Sequence, residues 1–159
     1  MPVSLDTLQT LEVFSDLEEQ DLAQVAHIVI EKDVPAGQSL FVEAMKGETL
    51  FVLLEGAVQV TRKSSSGEAV DLYSAEEGEF LGAISLFEPG DRLASALTTK
   101  PSKILIVRRK DLLKLAEKFP GAAFHFSLGL ARYAFQRLRE SASLHQGDVD
   151  QGANLKNGS

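Results

Sequence analysis

The hydrophobic positions change period twice along the chain. Leu5, Leu8 and Leu11 stand three apart, the spacing of a short helix. Phe14-Ser15-Asp16-Leu17-Glu18 reads as a capping box, with Ser15 as N-cap and Glu18 three residues later. The helix it opens carries Leu17, Leu22, Val25 and Ala26 on one side and ends near His27. From Ile28 the pattern becomes that of strands. Ile28–Ile30, Ser39–Val42, Thr49–Leu54, Val58–Arg62, Ala69–Tyr73, Leu93–Thr99 and Lys103–Val107 are short β-prone runs between turn signals. Val58-Gln59-Val60-Thr61-Arg62 alternates apolar and polar, so one face is wet. With the stretch from Gly78 included, about eight short strands are expected. The predicted class is mainly β with flanking helices. The β part is an eight-stranded jelly-roll β-barrel (a double-stranded β-helix) over about residues 28–108, with short N-terminal helices and two C-terminal helices.

The period lengthens again after the last strand. Leu112, Leu113, Leu115, Ala116 and Phe119 predict a short amphipathic helix, and Pro120 can start the next one. That last helix is expected to end near Leu144. Phe124, Leu128, Ala131, Phe135, Leu138 and Ala142 follow a 4-3 repeat along it, a seam suited to a second helix. Phe126, Leu130 and Tyr133 fall outside the seam, so the first half is apolar nearly all round and needs two partners, the barrel and another helix. A homodimer through Phe124, Leu128, Ala131, Phe135 and Leu138 is therefore expected. Residues 1–145 read as one domain. Residues 146–159, rich in Gly, Asn and Asp, read as a flexible tail.

The stretch Gly78 to Ala96, GEFLGAISLFEPGDRLASA, carries the chemistry. A short helix entered through Gly82 is followed by the turn Pro89-Gly90-Asp91 and then by Arg92. Unpaired N–H groups at a helix start favour an anion, and an arginine adds a fork of donors suited to phosphate. Composition narrows the classes. The formal net charge of −7 argues against a general nucleic-acid face, and there is no cysteine for a disulfide or thiolate metal site. No apolar run approaches membrane-spanning length, so a cytoplasmic protein is expected. His27, His125 and His145 all fall on or beside predicted helices, so no metal site is expected inside the barrel. No nucleophile–base pair is visible, so no enzyme activity and no cofactor are expected.

Several motifs together resemble the cyclic nucleotide-binding domain, the effector-binding domain of catabolite activators, of kinase regulatory subunits and of gated channels. Val34-Pro35-Ala36-Gly37 with Leu40-Phe41 is similar to the family's first glycine turn. Gly47-Glu48 before Phe51–Val58 is similar to its second strand pair, and Gly78–Ser95 to its phosphate-binding cassette. The resemblance covers about residues 8–139. It implies a phosphate site formed by Gly82, Ala83, Ile84, Ser85 and Arg92, with Leu93 and Ser95 beside it, and Tyr133 as a candidate base contact.

The sequence departs from the family at Ala83, where the family places a glutamate for the ribose 2′-hydroxyl. A lost charged acceptor for a buried hydroxyl removes about 1.5–3 kcal/mol. Leu93 stands where the family has a small residue. Two readings follow. In one, the chain is a sensor or regulatory domain that binds cAMP, cGMP or another phosphate-bearing ligand and signals through its C-terminal helices. In the other, it is a degenerate, non-binding domain that acts as a dimeric protein-interaction module. Neither reading includes a DNA-binding module or membrane association, because the polar residues after Leu144 are too few for a recognition helix.

Overall fold

The computed structural model describes residues 3–157, with side chains to residue 142. The N-terminal segment supplies α1 (Leu5–Gln9) and α2 (Glu19–Ala26), joined through a 3-10 turn over Glu12–Phe14. Ser4 caps α1 by accepting from the Thr7 N–H. The capping box expected at Ser15 does not form. The Ser15 hydroxyl donates back to the Glu12 carbonyl and closes the 3-10 turn, so Glu18 becomes the residue before α2 and caps it without a side-chain bond.

Ten strands follow, where about eight were expected. They are β1 (Val29–Val34), β2 (Ser39–Phe41), β3 (Lys46–Gly47), β4 (Thr49–Glu55), β5 (Val58–Lys63), β6 (Ala69–Ala75), β7 (Phe80–Leu81), β8 (Gly90–Asp91), β9 (Ser95–Thr98) and β10 (Ser102–Arg108). The two additional strands, β3 and β8, are two-residue pieces that lie in stretches read as turns, where no hydrophobic period can develop. All pairings are antiparallel. One sheet runs β1-β10-β4-β7, a second β2-β9-β5-β6, and β3 pairs with β8 as a separate ribbon. β9 starts at Ser95 and not at Leu93, because Arg92 and its neighbours turn away to serve the ribbon.

The alternation along β4 sorts the interior into two cores. Phe51 and Leu53 face into the barrel with Val58, Val60, Ala96 and Ile104. Leu50, Val52 and Leu54 face outward, onto the helices. β10 is buried on both faces by the same logic: Ile104 joins the barrel core, Leu105 and Val107 the helix-side core.

The C-terminal helices are α4 (Arg109–Lys118) and α5 (Pro120–Asn157), with the five-residue α3 (Ala83–Phe87) inside the cassette. Pro120 takes the first position of α5. Phe126 and Leu130 of α5 are buried against the N-terminal segment, and the Phe126 ring stacks on Phe14 with centroids 5.6 Å apart. α5 does not end near Leu144: its backbone stays helical to Asn157. No proline interrupts that stretch, and its glycines weaken a helix by about 1 kcal/mol each without removing an N–H donor. Among the described residues no helix is long and apolar enough to cross a membrane.

Candidate functional site

The site is a slot built for one guanidinium. Gly82 has φ +77° and turns the chain from β7 into α3. A Cβ there would stand 2.2 Å from Nη1 of Arg92, and one at Gly47 would stand 2.0 Å from its Nε. A larger residue at either wall would have to displace the guanidinium. The β3–β8 ribbon places the arginine: its backbone N–H donates to the Met45 carbonyl at 2.8 Å, and its own carbonyl accepts from the Ala44 N–H at 2.8 Å.

Arg92 is 6% exposed. Nη2 donates to the Thr49 carbonyl at 2.8 Å and Nη1 to the Gly82 carbonyl at 3.4 Å. The guanidinium carbon lies 4.6 Å from the centre of the Phe41 ring and 5.8 Å from that of Phe51, close enough for cation–π attraction. Burial lowers its pKa from the ordinary arginine value. Among the described residues no carboxylate comes within ion-pairing distance of it. Glu79, a conceivable partner, pairs instead with Arg137 at 2.9 Å. A buried cation held only by neutral carbonyls and rings favours an anion beside it, because its charge is desolvated and not neutralised.

A cavity of about 250 Å³ opens against this arginine. Gly82, Ala83, Ile84, Ser85 and Leu93 all line it, so the structure brings most of the expected site together. Leu93 is 64% exposed and stands at the mouth without filling it. Ser95 is not on the lining; its hydroxyl accepts from the Glu43 N–H at 2.8 Å. Tyr133 also stands elsewhere. Its ring packs on Phe80 with centroids 4.5 Å apart, and its hydroxyl accepts from Arg137 at 2.5 Å. It lines a separate cleft between α5 and Glu76–Glu79, because the side chain is drawn into the helix-side core. Of the expected seam, Phe124, Leu128, Phe135 and Leu138 are exposed and Ala131 is half-buried. His125 pairs with Asp21 at 2.6 Å on the surface.

The family model of the Cyclic nucleotide-binding domain matches residues 31–119, more than half of the chain. The chain belongs to this family. The Cyclic AMP receptor protein of Thermus thermophilus is 32% identical over 107 residues, covering 67% of this chain and 48% of that protein. The chain thus spans about half the length of that relative. The N-terminal domain of a transcriptional regulator from Streptomyces coelicolor superimposes with a TM-score of 0.71 at 29% identity, over 86% of this chain and 94% of that one. A cyclic nucleotide-binding domain from Methylobacillus flagellatus has the same fold, with a TM-score of 0.76 at 20% identity over 87% of this chain and 78% of that one.

In this cyclic nucleotide-binding domain the cassette is tied at both ends to the C-terminal helices by Arg109 and Arg137, which no sequence motif singles out. Arg109, the first residue of α4, donates through Nη1 to the Leu86 and Phe87 carbonyls at 2.7 and 2.6 Å, at the C-terminal end of α3. Arg137 of α5 donates to Glu79, just before β7. Burial opposes the Arg137 charge, but Glu79 and Tyr133 outweigh it and its pKa is raised. In sequence Arg109 is one member of a basic run and Glu79 one of several turn acids. Only spacing across the fold distinguishes them. Phe41 and Gly47 were legible as members of family motifs, but not as the ring and the gap that hold Arg92.

Proposed function

We propose that this is a ligand-sensing regulatory domain that takes a phosphate-bearing small molecule in the Arg92 cavity, with cAMP and cGMP the family's own candidates. The single observation that carries the reading is Arg92: a buried guanidinium, fitted between two glycines, with no carboxylate partner among the described residues. An anion would complete its coordination, and the Arg109 and Arg137 links supply a route by which cassette movement reaches α4 and α5. A ligand moves this equilibrium only by its difference in affinity for the two arrangements. We read the domain as a binding protein and not a catalyst, acting inside the cell as a homodimer through the exposed seam on α5.

A second reading, a non-binding dimeric interaction module, is favoured by Ala83, which offers no acceptor to a ribose. Calorimetry separates the two. The sensor reading predicts saturable heat with cAMP or cGMP that is lost in Arg92→Ala, and a gain in cAMP affinity of about tenfold or more in Ala83→Glu. No heat at millimolar nucleotide in either the wild type or Ala83→Glu would sink the sensor reading for those two ligands and favour the interaction module.

A further inference from the structure

The lining of the Arg92 cavity specifies more than an anionic head. Beyond the guanidinium, its walls are Phe41, Val60, Tyr73, Ile84, Leu93 and Ala94 with the cassette turn Gly82–Ser85, mostly apolar, and the hydroxyls of Tyr73 and Ser85 are the neutral polar side-chain groups on the lining. Ile84 and Leu93 are each 64% exposed, two aliphatic side chains at the mouth with nothing covering them. The remaining charges on the lining are Glu88 and Asp91, both exposed and both negative, so they repel any second negative charge on a ligand. The volume of about 250 Å³ lies below the roughly 300–1,000 Å³ usual for ligand pockets, which favours a small guest.

We infer that the ligand of this cavity is a small monoanion, a phosphodiester or a carboxylate, carried on an aryl or aliphatic body and not on a sugar. The inference rests on the Arg92 anion reading above and specifies the rest of the molecule. One guanidinium against two rim carboxylates suits one negative charge, which disfavours nucleoside polyphosphates. A planar fork of donors takes a carboxylate or a phosphodiester equally well. The body then meets side chains that gain by excluding water and, apart from the Tyr73 and Ser85 hydroxyls and the rim acids, offer little to a ring of hydroxyls.

The test is an NMR titration of the full chain with four monoanions: dimethyl phosphate, methyl phenyl phosphate, phenylacetate and cAMP. Methyl phenyl phosphate or phenylacetate should bind at least about tenfold more tightly than both dimethyl phosphate and cAMP, the increment expected for burying an aryl ring. Which of the two binds more tightly identifies the head. Because Arg92 bridges two carbonyls and its replacement can unfold the chain, the wall is tested at an exposed position. Leu93→Ser should weaken the aryl ligands by about fivefold or more, leave dimethyl phosphate unchanged and keep the fold intact. If cAMP binds as tightly as the aryl anions, or if Leu93→Ser changes nothing, the inference fails and the Arg92 reading stands. If none of the four shifts the spectrum, both fail.

Discussion

Arg109 grips Phe87. The first residue of α4 reaches back across the sheet edge to the last carbonyls of α3, 2.7 Å to Leu86 and 2.6 Å to Phe87, and its own N–H donates to the Glu48 carbonyl at 2.9 Å. A cation at the C-terminal end of a helix also lies on the favourable side of its dipole. The cassette is thereby fastened to the helices that follow the barrel by a side chain, and not only by packing.

Removing that grip should loosen the cassette more than the barrel. Arg109→Ala is expected to cost about 1–2 kcal/mol, the scale of partly exposed charged hydrogen bonds. Amide exchange should quicken over Ala83–Phe87 and stay unchanged in β4 and β10. Equal acceleration in all three would show that Arg109 stabilises the domain as a whole and holds no local link.

Gly82 and Gly47 should be intolerant of the smallest substitution. Gly82→Ala combines a left-handed backbone, costing about 1–2 kcal/mol, with a Cβ 2.2 Å from the guanidinium. Gly47→Ala has no such backbone strain but meets Nε at 2.0 Å. Denaturant titration should find both destabilised, Gly82→Ala the more. If Gly47→Ala is neutral, the slot is looser than its geometry implies.

The two tyrosines of the chain give a pH signature. Burial raises the pKa of Tyr73 above its ordinary value of 10.0, with Glu79 adding to it; burial raises that of Tyr133 as well. Their neutral forms are favoured by folding, so their contribution to stability is complete below pH 10 and is lost as pH rises through the folded-state pKa values. Absorbance titration of the phenols should therefore show ionisation of the folded protein shifted above pH 10. Tyr133→Phe should reduce the alkaline loss of stability. Ordinary titration at pH 10 would contradict the packing of Tyr133 on Phe80.

The seam on α5 should control assembly. Phe135 and Leu138 are each 62% exposed, so a charge there leaves the core of the domain untouched. Phe135→Glu should turn a dimer into a folded monomer in light scattering. A wild-type monomer, or a Phe135→Glu dimer, would remove the seam from the interface.

Much of this architecture was legible in the hydrophobic period. The long strands β4, β5 and β10 announce themselves through runs of apolar residues, and the two faces of α5 separate cleanly: Phe126 and Leu130 are buried, whereas Phe124 and Phe135 are exposed. The two-residue strands could not be found that way, since β3 and β8 exist only because each pairs with the other. Ser15 misled for a local reason: its hydroxyl satisfies the turn behind it before it can cap the helix ahead. At the site, Gly82 and Arg92 were readable from one stretch of chain. Tyr133 was not, because its position depends on Phe80 and Arg137, partners that a one-dimensional pattern does not bring together.

The central claim is that Arg92 is poised for an anion, and the Nε–H resonance of Arg92 reports it directly. Titrating isotopically labelled protein with cAMP should move that resonance saturably, in the millimolar range or below, with the amides of Gly82–Ser85 following the same curve. A resonance that stays fixed while millimolar cAMP, and then millimolar methyl phenyl phosphate and phenylacetate, are added would contradict the account.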